Sequence, residues 1–201
     1  MITPLFNLAL LLFACGRDAD TGLQPSEEEQ TSGDSADTDD TDEPLDPIYS
    51  MSEDDLPQGA DPCRAPVVVE VTEAVDGDTL WVHGPAGSEK VRIIGIDTPE
   101  ISHNGDPPDC YGPEAAAFTE AQLLGRYIWL TFDGDCEDDY GRTLAYVTSG
   151  EGETGFFERL LLQGGWAETM TFSATSTYAR TFEGDEAAAR AAGEGMWGAC
   201  D

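Results

Sequence analysis

EKVRIIGIDTPE, residues 89–100, is an apolar run of Val and Ile that carries an arginine near its start and two carboxylates at its end. Its β-branched composition predicts a strand over 89–97. A strand that served only a core would have no use for Arg92 inside it, or for Asp97 and Glu100 gathered around a Thr-Pro turn. Upstream, VVVEVTEA (67–74) reads as a first strand, and AVDGDTLWVHG (74–84) turns at Asp76-Gly77 and continues as a second. The short connections, GPAGS among them, predict an antiparallel meander of these three strands.

Downstream, Pro113 suits the first turn of a helix, predicted over 113–124 with a barrel-packing stripe from Ala116 to Leu124. YIWLTF (127–132) and TLAYVTS (143–149) read as the fourth and fifth strands. Two more helices are predicted, over 155–164 with Gly164-Gly165 as its stop and over 177–193. The expected fold is mainly β with α: a five-stranded Greek-key barrel of the OB type plus three helices. The open face of such a barrel often binds nucleic acid. Arg92 and Asp97 lie five positions apart, so an ideal strand points them to opposite faces. For both to line one site the strand must bulge or bend, and Gly95 is the expected place.

The 201 residues carry a formal charge of −32. Residues 1–60 hold 15 acids and one base, Arg17, which leaves −18 on 61–201. Charge alone argues against a nucleic-acid partner, because non-specific affinity for phosphate backbones comes from Lys and Arg. Residues 8–14 form an apolar run too short to span a bilayer but suited to the h-region of a signal peptide. It ends in Leu12-Phe13-Ala14-Cys15, which resembles a lipoprotein lipobox, although the n-region has no Lys or Arg. The expectation is a signal peptide over 1–15, lipidation at Cys15 and an exported protein, anchored to the membrane or secreted. Gly16 after Cys15 resembles the outer-membrane sorting pattern. Residues 16–60, acidic and poor in large apolar groups, predict a disordered, self-repelling linker, with 61–201 as the folded domain. Four further cysteines suit two disulfides, for which three pairings exist. The expected one ties the ends through Cys63–Cys200 and joins two loops through Cys110–Cys136. No spacing of Cys or His supports zinc.

Polar residues that break the bland patterning cluster in VDGDT (75–79), RIIGIDTPE (92–100), YGPEA (111–115) and DDYGR (138–142). Hydrolysis of a phosphodiester needs what these segments offer. A hard, oxygen-ligated cation such as Ca²⁺ screens the anionic substrate, and Asp78 and Asp97 are candidates to hold it. A carboxylate beside the metal orients or deprotonates water, a role open to Glu100. Two guanidiniums clamp the phosphate oxygens as charge develops, and Arg92 and Arg142 are available.

Taken in order and spacing, the four segments resemble the thermonuclease family, the staphylococcal nuclease-like domains, over about residues 67–197. The resemblance implies a five-stranded OB barrel with three helices, Ca²⁺-dependent hydrolysis of DNA or RNA, and 3′-phosphate products. Asp78 and Asp97 would ligate Ca²⁺ through side chains and Thr98 through its carbonyl, with Asp76 standing behind them. Arg92 and Arg142 would stabilise the five-coordinate phosphorus, Glu100 would act on the attacking water, and Tyr140 would contact the nucleotide's phosphate. The match fails at Asp139, where a family member has a substrate-contacting lysine, and past GWAE, where the family's base-proximal tyrosines have no counterpart. His83 and His103 are expected at the surface, and Trp81, Trp129, Trp166 and Trp197 in core or helix-docking roles. A monomer is expected. The competing reading is a non-catalytic OB module that binds protein or nucleic acid at the cell surface.

Overall fold

The computed structural model describes residues 47–102, 105–150, 155–170 and 177–200. Its strands are β1 (Val67–Ala74), β2 (Thr79–Gly84), β3 (Gly87–Ile93), β4 (Ile96–Asp97), β5 (Tyr127–Thr131), β6 (Thr143–Thr148) and β7 (Glu168–Thr169). Its helices are α1 (Gly112–Leu123), α2 (Phe157–Gln163), α3 (Ala179–Ala192) and the single turn α4 (Met196–Ala199). Five strands close a barrel in the order β1-β2-β3-β6-β5, with β1 paired to β5. The first three form the expected antiparallel meander. The barrel closes through one parallel pairing, Val91↔Thr143, Arg92↔Leu144 and Ile93↔Ala145. Alternate residues fill the interior: Val69, Val71, Leu80, Val82, Val91, Ile93, Ile128, Leu130, Ala145 and Val147 are all buried, as a period of two demands. The intervening residues of β2 and β3, Thr79, Trp81, Lys90 and Arg92, point to the other face.

The strand expected over 89–97 is broken where the parity argument requires. β3 ends at Ile93, Gly95 takes φ +84°, and the chain restarts as β4, which pairs with β7 instead of the barrel. A Cβ on Gly95 would sit 2.5 Å from Phe182 of α3, so both conformation and space require glycine. On α1 the barrel-facing stripe is Ala115, Thr119 and Leu123, whereas Leu124 is exposed. The buried face follows the i, i+4, i+8 spacing through Ala115, Thr119 and Leu123, and it takes in polar Thr119, which a reading by apolarity leaves out. The Thr119 hydroxyl there donates to Gly77 O at 2.7 Å and fixes the helix to the β1–β2 turn.

The linker expected over 16–60 is corrected at its far end. Residues 47–60 form two 3₁₀ turns that lie on the barrel, with Ile48 and Leu56 buried. Trp129 Nε1 donates to Ile48 O at 2.9 Å, Thr131 Oγ1 to Pro57 O, and Tyr178 OH to Gln58 O at 2.9 Å. Two apolar anchors and a row of backbone contacts thus order a stretch that composition alone assigns to solvent. The disulfides are corrected too. The expected Cys63–Cys200 and Cys110–Cys136 are replaced by Cys63–Cys136 and Cys110–Cys200. The reason lies in the arm: Gly59 N and Cys63 N donate to Phe132 O and Asp133 O, 2.9 and 2.8 Å, which delivers Cys63 to the β5–β6 loop. Cys200, at the end of α4, meets the loop before α1 instead. Trp129 docks the arm, Trp166 stacks on Phe118 and Tyr111, and Trp197 lies under Arg190. Trp81 departs from the core role expected of it and is 38 % exposed. His83 is exposed, as expected. The signal peptide, Cys15, most of the linker and His103 lie outside the described residues. No described helix is long and apolar enough to cross a membrane.

Candidate active site

The β1–β2 turn is built by its own side chains. Asp76 Oδ1 accepts the Asp78 amide at 3.0 Å, an Asx-turn, while Val75 N donates to Thr79 O at 2.8 Å. A Cβ at Gly77 would lie 2.7 Å from Thr98, so glycine lets the turn abut the segment after β4. That contact brings Asp78 and Thr98 together: Thr98 N and Oγ1 donate to Asp78 Oδ2 at 2.8 and 3.1 Å. Arg92, three residues before the strand bends at Gly95, then bridges both expected metal ligands. Its Nη1 is 2.9 Å from Asp78 Oδ2 and its Nη2 is 2.7 Å from Asp97 Oδ1. Nη1 also donates to Ile93 O and Nη2 to Met170 Sδ. Asp76, Asp78, Arg92 and Thr98 are buried. Burial, with Asp76 and Asp97 beside it, pushes the Asp78 carboxyl up to about 7 despite Arg92 and the Thr98 amide. A divalent cation would pull in the opposite direction.

Glu100 follows on a loop clasped at its base, where Asp109 N donates to Glu100 O at 2.9 Å and Glu100 N to Asp109 Oδ2 at 3.2 Å. Across the cleft, Asp138 organises the β5–β6 loop. Its Oδ1 accepts the amides of Tyr140 and Arg142, both at 2.9 Å, and its Oδ2 holds Arg142 Nε at 2.7 Å. Burial alone would raise the Asp138 carboxyl, but those amides and the guanidinium outweigh it and hold it below the ordinary range. The Arg142 guanidinium lies 5.5 Å from the ring of Tyr140, which is 85 % exposed.

One cleft of about 830 Å³ takes in Asp76, Asp78, Arg92, Asp97 and Glu100 on one side and Tyr140 and Arg142 on the other. Thr98 lies directly behind Asp78. The structure therefore brings together every residue singled out for the chemistry. It adds Met170 and Asp138, which the sequence reading passed over. Asp138 stood in plain view in DDYGR, where four residues of separation from Arg142 could have marked it; Met170 carried no signal. The cleft also holds Asp135, Glu137, Asp138 and Asp139, so eight carboxylates face three cations, Lys90, Arg92 and Arg142. Among the described residues no three His, Cys, Asp or Glu side chains converge as a ready metal cage. Asp78 and Asp97, drawn to one guanidinium, supply with the Thr98 carbonyl a hard oxygen set that water would complete. That donor chemistry fits Ca²⁺.

Comparison with known proteins agrees with this geometry. The family model described as staphylococcal nuclease homologue matches residues 90–199, more than half of the chain. The thermonuclease of Staphylococcus hyicus is 32 % identical over 128 residues, covering 64 % of this chain and 74 % of that protein. The thermonuclease of Staphylococcus intermedius is 41 % identical over 81 residues, covering 40 % of this chain and about half, 48 %, of that protein. The SPbeta prophage-derived endonuclease YokF of Bacillus subtilis (strain 168) is 33 % identical over 132 residues, covering 65 % of this chain and 44 % of that protein. Barrel order, the strand break at Gly95 and these matches lead to one conclusion: the chain belongs to the staphylococcal nuclease family.

Proposed function

We propose that the protein is a Ca²⁺-dependent nuclease that works outside the cytoplasm and hydrolyses DNA or RNA to products ending in 3′-phosphate. The observation that carries this reading is the convergence of Asp78, Arg92, Asp97, Glu100 and Arg142 on one cleft. Asp78, Asp97 and the Thr98 carbonyl would hold Ca²⁺, which supplies charge neutralisation to the phosphate. Glu100 orients a water and takes its proton. The water oxygen bonds to phosphorus, the P–O5′ bond breaks, and the departing 5′ oxygen takes a proton from solvent to become a hydroxyl. Arg92 and Arg142 hold the non-bridging oxygens, and their fixed geometry favours the more highly charged transition state over the ground state. Asp138 engages Arg142 through Nε, and the two Nη groups lie outside that contact. Two disulfides support an oxidising compartment, which is where the signal-like N-terminus would deliver the chain.

The test is a cleavage assay on single- and double-stranded substrates with Ca²⁺ and with a chelator, followed by analysis of product ends. Calcium-dependent cleavage that leaves 3′-phosphate is expected. Binding of polynucleotide without cleavage at any calcium concentration would hand the protein to the binding-module reading.

A further inference from the structure

The cleft does not end at Arg92. Lys90 stands two residues before Arg92 on β3, faces the same side of the sheet, and lines the cleft. It is the sole lysine of the chain. Arg64, Arg92, Arg142, Arg159 and Arg190 each hold a carboxylate within 3.6 Å. Lys90, in contrast, has no carboxylate partner among the described residues. A compact ammonium left unpaired in a cleft crowded with carboxylates is available to an incoming anion. Its cross-strand partner is Trp81, directly opposite and within side-chain reach. Trp81 is 38 % exposed, although neighbouring Leu80 and Val82 are fully buried. An exposed indole beside a free cation is the combination by which proteins hold single strands: a ring for a base, a charge for a phosphate. The next residue in this row, Glu73 of β1, is exposed and acidic and would repel a further phosphate.

We propose that the outer face of β2 and β3 is a nucleotide subsite next to the scissile phosphate, with Lys90 holding the adjacent phosphate and Trp81 stacking on its base. Arg92 and Lys90 are separated by about 6.6 Å of strand, a step comparable to that between successive phosphates of an extended polynucleotide. Glu73 limits the subsite to one nucleotide. This inference rests on the nuclease reading and names how that site takes a polymer.

The test compares the full chain with its Lys90→Ala, Trp81→Ala and Trp81→Phe variants on two substrates. One is a single-stranded oligonucleotide; the other is a nitrophenyl phosphodiester of a single nucleotide, too small to reach the subsite. Each alanine variant is expected to lose about tenfold of its preference for the oligonucleotide through KM, while Trp81→Phe keeps most of it. In Lys90→Ala the slope of log KM against log salt should shrink by about 0.7, one phosphate contact. Should an alanine variant fail to fold, Lys90→Gln and Trp81→Leu carry the same comparison. Preference and salt slope equal to the parent's, or equal losses on both substrates, overturn the subsite. A parent inactive on both substrates overturns the nuclease reading instead.

Discussion

Arg92 is the residue on which the site turns, because one guanidinium touches Asp78, Asp97 and the carbonyl where β3 ends. Arg92→Ala and Arg142→Ala are each expected to lower kcat by about 10²–10³-fold, the usual loss for one preorganised charge-stabilising donor. Unchanged turnover in steady-state assays of both would refute their roles. Arg92→Ala also leaves Asp78 buried beside Asp76 without its cation, so a drop in thermal stability should accompany that variant and not Arg142→Ala. Glu158, on the first turn of α2, offers a cleaner electrostatic measurement away from the cleft. It is fully buried, its Oε1 accepts the Val147 amide at 3.0 Å, and its Oε2 has no partner among the described residues. Burial pushes its carboxyl well above the usual range despite that amide. Between the unfolded value near 4.5 and the raised folded one, the native state binds the extra proton, so stability falls as pH rises through this window. Glu158→Gln keeps an acceptor for Val147 and removes the ionisation. Its melting temperature is expected to match the parent's near pH 4.5 and exceed it by a few degrees at pH 8. A gap that does not widen with pH would show that the carboxyl ionises as easily folded as unfolded.

Among the elements, the two disulfides act on the loops that flank the cleft. Cys63–Cys136 pins the β5–β6 loop six residues before Arg142, and Cys110–Cys200 pins the loop whose base, at Asp109, clasps Glu100. They span 73 and 90 residues, and in the chain-entropy picture each stabilises by about 4.5 kcal/mol. Replacing either pair by serine should lower the unfolding free energy measured in urea by a large part of that amount, with the midpoint moving down accordingly. The Cys63→Ser/Cys136→Ser protein should in addition lose activity at temperatures where it is still folded, because the Arg142 loop loosens. Equal activity in parent and variant would confine the bond to stability. The elements were legible in unequal degree. The bend at Gly95 follows from counting, since Arg92 and Asp97 cannot share a face along five straight residues. The three-strand meander follows from β-branched runs joined by short connections, and the first two helices from Pro113 and the Gly164-Gly165 stop. The arm at 47–60 did not, because Ile48 and Leu56 are too sparse to outweigh their acidic neighbours in any compositional reading. The disulfide pairing went wrong with it, since the route of that arm decides where Cys63 lies. Trp81 alternates with buried Leu80 and Val82 and pairs with Lys90, so it lies on the polar face although its size suggests the core.

At the scale of the whole molecule, the proposed function asks a domain of charge −18 to approach a polyanion. Long-range repulsion is screened within about 10 Å at 0.1 M salt, whereas the contacts inside the cleft act at hydrogen-bond range. The initial rate on long duplex DNA is therefore expected to hold steady or rise between low and moderate salt at fixed Ca²⁺. A steep monotonic decline would mean that attraction by local cations outweighs the net charge. Closure of the barrel adds a separate consequence. Because Arg92 pairs in register with Leu144, and Arg142 precedes Leu144 by two residues, strand register sets the interval between the two guanidiniums. The connection leading from β5 to Asp138 leaves that interval alone and, through Cys136, only steadies the loop that carries Arg142. Around a retained Cys136 that stretch can change in length or charge over generations, or under a designer's hand, and alter which polymers the proposed nuclease would admit while the two guanidiniums keep their spacing.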